Sequence, residues 1–201
     1  MTAGGEARFE FRVWGDRLDG VSDWLGALAE AGEVRESAET YVVSTVALDA
    51  NPKVRDDLLD IKRLVDVRDG FEQWTVHRKV VFPVGARELA DDFFPLLGVA
   101  PSSLDREAYT MSDLVDELVA PHPDLAAVDL TKLRQMYMVD ACSAEVSQVR
   151  IRGRTIQTAA IESTDLDALR EVRLGLGLET NDNVSYPRAI RALLGGQFAV
   201  G

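Results

Sequence analysis

The chain begins with strict alternation. Over residues 7–14, Phe9, Phe11 and Val13 share one parity and Arg8, Glu10 and Arg12 share the other. That pattern predicts an extended strand with one apolar and one ionic face. The period then lengthens. Val21, Trp24, Leu25 and Leu28 predict a helix over 18–31, with Trp24 in the core and Gly32 as C-cap. Residues 40–48, rich in Val, Thr and Tyr, predict a strand. Lys53-Val-Arg55 and Leu59-Asp-Ile-Lys62 flank Asp56-Asp57-Leu58, which predicts a tight hairpin. A long strand over 71–82 is stopped by Pro83. An amphipathic helix follows over 86–97, with Leu89, Phe93, Leu96 and Leu97 on its apolar face and Gly98 at its end. Ser112 is the expected N-cap of a short helix, Asp113–Val119, which Pro121-His122-Pro123 breaks. Three strands are expected over 127–139, 141–152 and 155–163, with Gly153 turning between the last two. Asp165 caps a helix running to about 174, and Gly175-Leu176-Gly177 is a loop. A final helix runs from Ser185-Tyr186-Pro187 through 194, with the proline in its first turn, and Gly195-Gly196 closes it.

Consecutive strands outnumber crossover units in this order. The expected class is therefore α+β, an antiparallel sheet of about eight strands with helices packed outside, and that many strands can close into a barrel. The 201 residues fit one domain over 1–201. A hydrophobic share of 46% supports a sizeable core, and the net charge of −12 argues against general nucleic-acid binding. One cysteine, Cys142, excludes an internal disulfide and a Cys-rich zinc site, and two histidines make a His-based metal cage untenable. No apolar run approaches the ~20 residues of a membrane span and no signal-like start is present, so a cytoplasmic chain with no membrane partner is expected. Nothing in the pattern fixes an oligomeric state. No P-loop, Rossmann glycine motif, nucleophile elbow or zincin helix is found.

The charges are unevenly placed. Residues 83–124 carry nine acids against two bases, mostly on expected helices and loops. The strands are richer in bases, and many of these lie two apart: Arg8/Arg12 around Glu10, Lys53/Arg55, Lys132/Arg134 and Arg150/Arg152. Each set projects from one face of its strand, with mostly apolar residues at the opposite parity. A sheet with one wet face explains this simply. A closed barrel with a charged interior explains it too. Such an interior needs an anionic ligand, because unpaired Arg and Lys side chains cannot stay buried together. Phosphate suits mixed Arg forks and Lys point charges, and carboxylates among them could hold Mg²⁺ or Mn²⁺.

These residues bring a family into view. Glu10-Phe-Arg12 resembles the end of the N-terminal Glu-x-Glu-x-Lys signature of the CYTH, or triphosphate tunnel metalloenzyme, superfamily. Lys53-Val-Arg55 with Leu59-Asp-Ile-Lys62 is similar to its basic strand pair. Ala159-Ala-Ile-Glu162, followed by a helix and Gly175-Leu-Gly-Leu178, resembles its late acidic strand and C-terminal helices. The resemblance in element order covers most of the chain. It implies an antiparallel barrel tunnel that hydrolyses a triphosphate-bearing substrate: inorganic triphosphate, short polyphosphate or a nucleoside triphosphate. It further implies that Arg8, Arg12, Lys53, Arg55, Lys62, Arg78, Lys132, Arg134 and one or both of Arg150 and Arg152 bind phosphates. Glu10 and Glu162 would then hold Mg²⁺ or Mn²⁺, with Glu145 as a third acid for catalysis. In a regular strand, though, Glu145 lies on the face opposite Arg150. Three positions depart from the family pattern. Arg8 stands at the first glutamate of the signature, Arg12 at its lysine, and Ala160 where a second late glutamate is expected.

Two other functions remain open from sequence. The tunnel can serve as a non-catalytic receptor for a phosphorylated small molecule or polyphosphate, or the acidic helices can dock a basic protein partner. His77, alternating with Thr75 and Lys79, is expected to face outward, and His122 to sit in a loop. Cys142 is expected as a small buried group. Trp74 shares parity with Val76 and Arg78 and so faces either a pocket or the core. Tyr186, in the distinctive run Asn183-Val-Ser-Tyr-Pro, is expected as helix-entry packing.

Overall fold

A computed structural model describes residues 6–196. In chain order the elements are β1 (Arg8–Gly15), α1 (Asp19–Leu28), β2 (Arg35–Ser44), β3 (Ala50–Arg55), β4 (Leu58–Arg68), β5 (Phe71–Val81), β6 (Val84–Gly85), a helical segment α2 (86–96), β7 (Ala108–Tyr109), α3 (Asp113–Val119), β8 (Leu125–Val139), β9 (Cys142–Ile151), β10 (Arg154–Ser163), α4 (Leu166–Gly175) and α5 (Tyr186–Leu194). Eight strands close into an antiparallel barrel in the order β1-β10-β9-β8-β2-β3-β4-β5, and β1 pairs β5 to complete the ring. Among the described residues no helix is long and apolar enough to cross a membrane.

Alternation dictates which side of the wall each residue faces. Phe9, Phe11 and Val13 of β1 point outward and bury against Val21 and Leu25 of α1 and Leu169 and Val172 of α4. Cys142 and Ala144 of β9 lie in the same layer. On the other side, Val54, Leu59 and Ile61 of the hairpin pack on Leu89, Phe93 and Phe94 of α2 and Leu114 and Leu118 of α3. The apolar face thus finds helices and the ionic face turns inward, so the sheet closes instead of leaving a wet face. Leu133, on the outer face of β8, is left 47% exposed.

Local chemistry sets the turns. Asp56 and Asp57 take φ of 50° and 57° in the two-residue connection between β3 and β4, a conformation aspartate tolerates better than most residues. Arg152 (φ 48°) and Gly153 (φ 77°) form the equivalent turn between β9 and β10. Asp165 caps α4 by accepting from the Asp167 and Ala168 amides.

Several boundaries differ from expectation. α1 ends at Leu28, and Gly32 lies beyond it, donating its amide to Met136 O (2.9 Å). β2 starts at Arg35, because residues 35–39 have little strand propensity of their own and are held by pairing with β8, from Arg35↔Arg134 to Glu39↔Leu130. Ser112 makes no side-chain cap; Thr110 does the work two residues earlier, its Oγ1 accepting from the Asp113 amide (3.2 Å) while the Asp113 carboxylate accepts from the Thr110 amide (2.8 Å).

Gly175 ends α4 beneath Trp24, and a Cβ there would lie 2.4 Å from Trp24 Cζ2. Gly175→Ala is expected to cost about 1–3 kcal/mol, since the indole is rigid and wedged against the α1 layer. A urea melt with an unchanged midpoint would show that the ring moves freely.

Candidate functional site

α5 plugs one end of the barrel. Its Tyr186 and Ile190 pack among the inward-facing Tyr41, Val43, Val128, Leu130, Val149, Ile151 and Ile156. Beyond this apolar floor the inward positions become charged and enclose a cavity of about 320 Å³. Its lining includes seven bases (Arg12, Lys53, Arg55, Lys62, Lys79, Lys132, Arg134) and four acids (Glu10, Asp60, Glu145, Glu162). A chain of net charge −12 therefore holds a basin with an excess of positive charge.

One wall carries the carboxylates. Glu10 of β1 sits directly opposite Glu162 of β10, and Arg12 opposite Ala160, which in turn faces Glu145 of β9. Arg12 is only 6% exposed. Its Nε donates to Glu10 Oε1 (3.0 Å), and its Nη1 donates to Thr158 Oγ1 (3.2 Å) and lies 3.5 Å from Glu145 Oε1. The guanidinium carbon rests 4.6 Å from the centre of the Tyr186 ring. Burial opposes ionisation of Glu10, but Arg12 and Lys62 outweigh it and hold the carboxyl below its ordinary range. Burial likewise opposes ionisation of Glu145, and Arg12 with Lys132 outweighs it. Glu162 pairs with Arg8 at the mouth (3.1 Å).

The opposite wall is built around Glu39, whose side chain is fully buried. Lys132 Nζ approaches it at 2.9 Å, Arg55 Nη1 at 3.5 Å and Lys53 Nζ at 3.6 Å, while Tyr41 donates its hydroxyl at 3.0 Å. Burial disfavours the Glu39 anion, but Lys132 and Lys53 prevail and draw its pKa down to about 2. Burial, with Lys53 alongside, pushes Lys132 down to about 7 despite the pull of Glu39. Tyr186 contacts two cations, Arg12 and Lys132, whose Nζ is 3.8 Å from its ring centre, and its ring stacks on Tyr41.

The basin also contains polar atoms that the chain leaves unsatisfied. Among the described residues, five buried side-chain atoms have no hydrogen-bond partner, and four of them, Asn51 Oδ1, Asp60 Oδ1, Arg134 Nε and the Tyr186 hydroxyl, belong to residues lining this cavity. Such atoms are costly unless something in the cavity engages them. Lys62 and Arg134 have no ion-pair partner among the described residues.

The barrel brings together Glu10, Arg12, Lys53, Arg55, Lys62, Lys132, Arg134, Glu145 and Glu162, and places Arg8 at the rim with a half-exposed side chain. Three expected phosphate contacts lie elsewhere. Arg78 is on the outer surface, where Asp92 of α2 accepts from its Nη2 (2.5 Å) and from His77 Nε2 or its tautomer (3.0 Å). The cause is a register shift: Ile61 pairs Arg78 but Lys62 pairs Val76, so His77 is an extra residue and the facing inverts beyond it. Trp74 and Val76 stay inside, Arg78 turns out, and Lys79 turns in. Arg150 and Arg152 are also outside, because β9 keeps unbroken register and puts Ser143, Glu145, Ser147, Val149 and Ile151 on the inner face; Arg152 sits in the turn. Val149 and Ile151, expected on an outer apolar face, belong to the barrel floor.

Sequence reasoning missed Glu39, Tyr41, Asp60, Lys79 and Tyr186 as site residues. The alternation Ser37/Glu39/Tyr41/Val43 carried the signal for the first two. Tyr186 had none beyond its unusual neighbours. Those neighbours seal a seam: β1 and β5 separate after Glu10↔Glu72, and Asn183 fills the gap. Its side chain accepts from the Arg12 amide (2.8 Å) and donates to Glu10 O and Gly70 O (2.9 Å each), and the Val184 amide donates to Arg12 O (2.9 Å). Glu72 is taken by Trp74 Nε1 (3.2 Å) and Arg188 Nε (3.3 Å).

The divalent ion implied by the family resemblance fits these residues poorly. Each carboxylate of the acidic wall already holds an arginine, Ala160 supplies no oxygen, and among the described residues no cluster of three or more His, Cys, Asp or Glu is placed to hold an ion.

No family model and no curated protein sequence matches the chain. Solved structures do. A candidate adenylyl cyclase from Hippeastrum, described as revealing a dominant triphosphatase activity, superposes with a TM-score of 0.51 at 12% identity over 96% of this chain and 97% of that one. A candidate adenylate cyclase from Bacillus halodurans gives 0.52 at 11% over 94% and 98%. The PH1012 protein of Pyrococcus horikoshii gives 0.50 at 16% over 88% and 93%. The chain thus shares with these solved proteins the fold of a closed eight-stranded antiparallel barrel, the fold that the resemblance in its sequence implies.

Proposed function

We propose that the protein binds the triphosphate end of a phosphorylated small molecule, or a short polyphosphate, in the charged basin of its barrel. The observation that carries this reading is the convergence of seven bases on one enclosed cavity, two of them, Lys62 and Arg134, without an ion-pair partner among the described residues. An oligophosphate engages the unsatisfied donors of the basin. Its oxygens accept from Arg134 Nε, the Tyr186 hydroxyl and the lysine ammonium groups, and its charge balances the excess of bases. The apolar floor under Tyr186 and Ile190 limits how deep the chain of phosphates can enter. Titration calorimetry with inorganic triphosphate tests this directly: one site per chain is expected, with a matching rise in melting temperature. No heat and no stabilisation would reject it.

A second reading adds hydrolysis. It is suggested by the cross-strand pair Glu10↔Glu162 and by the triphosphatase activity described for the Hippeastrum barrel. In that reading Mg²⁺ or Mn²⁺ would be held by Glu10 and Glu162, which requires Arg8 and Arg12 to release them. Phosphate release that depends on either ion, and is lost in Glu10→Gln with Glu162→Gln, supports hydrolysis. Binding without release leaves the protein as a receptor.

A further inference from the structure

We infer that Arg12 is the resident counter-cation of the acidic wall, and that the basin takes its oligophosphate as the metal-free polyanion rather than as a magnesium complex. The inference rests on the binding reading above and specifies the form of the ligand.

The geometry of Arg12 is that of a built-in ion. One guanidinium serves Glu10 through Nε and Glu145 and Thr158 through Nη1, with its carbon over the Tyr186 ring. Thr158 Oγ1 in turn donates to Val13 O (2.7 Å), so the group that receives Arg12 is itself fixed by the backbone. The side chain is 7% exposed and is braced from β1, β9, β10 and α5 together. Opening it to admit a cation would leave a buried guanidinium and at least one buried carboxylate without partners, a strongly unfavourable state. Arg8 does the same at the rim for Glu162, from the position four residues earlier on the same face.

The rest of the lining follows the same logic. The carboxylates of the acidic wall are paired by arginines that belong to the chain, and Lys53, Arg55 and Lys132 share the single carboxylate of Glu39, so positive charge is left in excess for a ligand. Lys62 on β4 and Arg134 on β8 approach from different walls and can engage separate phosphates. A magnesium complex brings fewer negative charges to that set and carries a hydrated ion toward Arg8 and Arg12, where like charge opposes it. Added Mg²⁺ therefore competes with the protein for the ligand.

Two measurements on the intact chain test this. In calorimetry, inorganic triphosphate is expected to bind at least as tightly in EDTA as in buffer, and at least threefold more weakly when Mg²⁺ is added in excess. Tightening by Mg²⁺ would overturn the inference. Separately, Mn²⁺ alone is titrated into the protein and followed by electron paramagnetic resonance. The free-ion signal is expected to be undiminished by wild type, and to be captured by the double variant Arg8→Glu, Ala160→Glu, which supplies the two carboxylates that the family pattern has. Capture by wild type that is abolished in Glu10→Gln would overturn the inference whether or not triphosphate binds. If triphosphate fails to bind under either condition while Mn²⁺ stays free, the binding reading falls and the role of Arg12 stands. If the double variant does not fold, the wild-type manganese titration decides.

Discussion

Glu39→Gln is expected to destabilise the protein by about 3–5 kcal/mol, the penalty for removing one partner of a buried ionic cluster. The amide keeps the shape of the side chain but leaves Lys132, Lys53 and Arg55 gathered around a neutral group. The effect has a definite pH window. The pKa of Glu39 is depressed from 4.5 to about 2, so its contribution is fully present above about pH 4.5 and is lost as pH falls from there through 2. Wild type and variant should thus differ in urea midpoint at pH 7 and converge near pH 2. A variant as stable as wild type at pH 7 would mean that the lysines relax out of the wall. The same variant should respond more strongly to triphosphate, because the ligand then supplies the missing negative charge.

Removing the two unpaired bases should act in the opposite sense. Lys62→Ala and Arg134→Ala are each expected to weaken triphosphate binding about 10- to 100-fold, from the loss of a charge-assisted hydrogen bond worth roughly 1.5–3 kcal/mol. Neither forms an ion pair with the described residues, and each only assists a carboxylate at longer range, Lys62 at Glu10 and Arg134 at Glu145, so stability should change little. Calorimetry and thermal melts on the same samples separate the two effects. Loss of binding with a matching loss of stability would reassign these residues to the scaffold, and unchanged affinity in both would place the ligand elsewhere.

Much of the barrel was legible because its strands alternate. Phe9, Phe11 and Val13 against Glu10 and Arg12 fixed the facing of β1, and Lys53/Arg55 and Lys132/Arg134 fixed theirs in the same way. What alternation cannot convey is whether an ionic face looks outward to water or inward to a cavity. That depends on closure, and closure depends on β1 meeting both β10 and β5. The errors have equally physical causes. Parity counting assumes regular strands, and one extra residue at His77 exchanges Arg78 for Lys79. The family resemblance groups Arg150 with the inward bases, although the parity of Glu145 opposes it. Glu39 lies in a stretch of low strand propensity whose extended form is imposed by pairing with β8, so local propensity does not reveal it. Tyr186 comes from a helix that enters the site by tertiary packing, and no local pattern announces that.

The seam beside Glu10 has a bearing on how the chain folds. The Arg12 amide bonds a side chain 171 residues away, and the neighbouring strand pairing joins Phe9 to Ser163. Contacts of such long span form late and slowly, because the entropy of closing the loop must be met before they return any stabilisation. The hairpins β3–β4, β8–β9 and β9–β10 can assemble as each is synthesised, but β1 keeps its ionic edge open until the last segments arrive. During that interval the edge is exposed to other chains, and its alternating arginines and glutamate disfavour β-addition by an apolar strand.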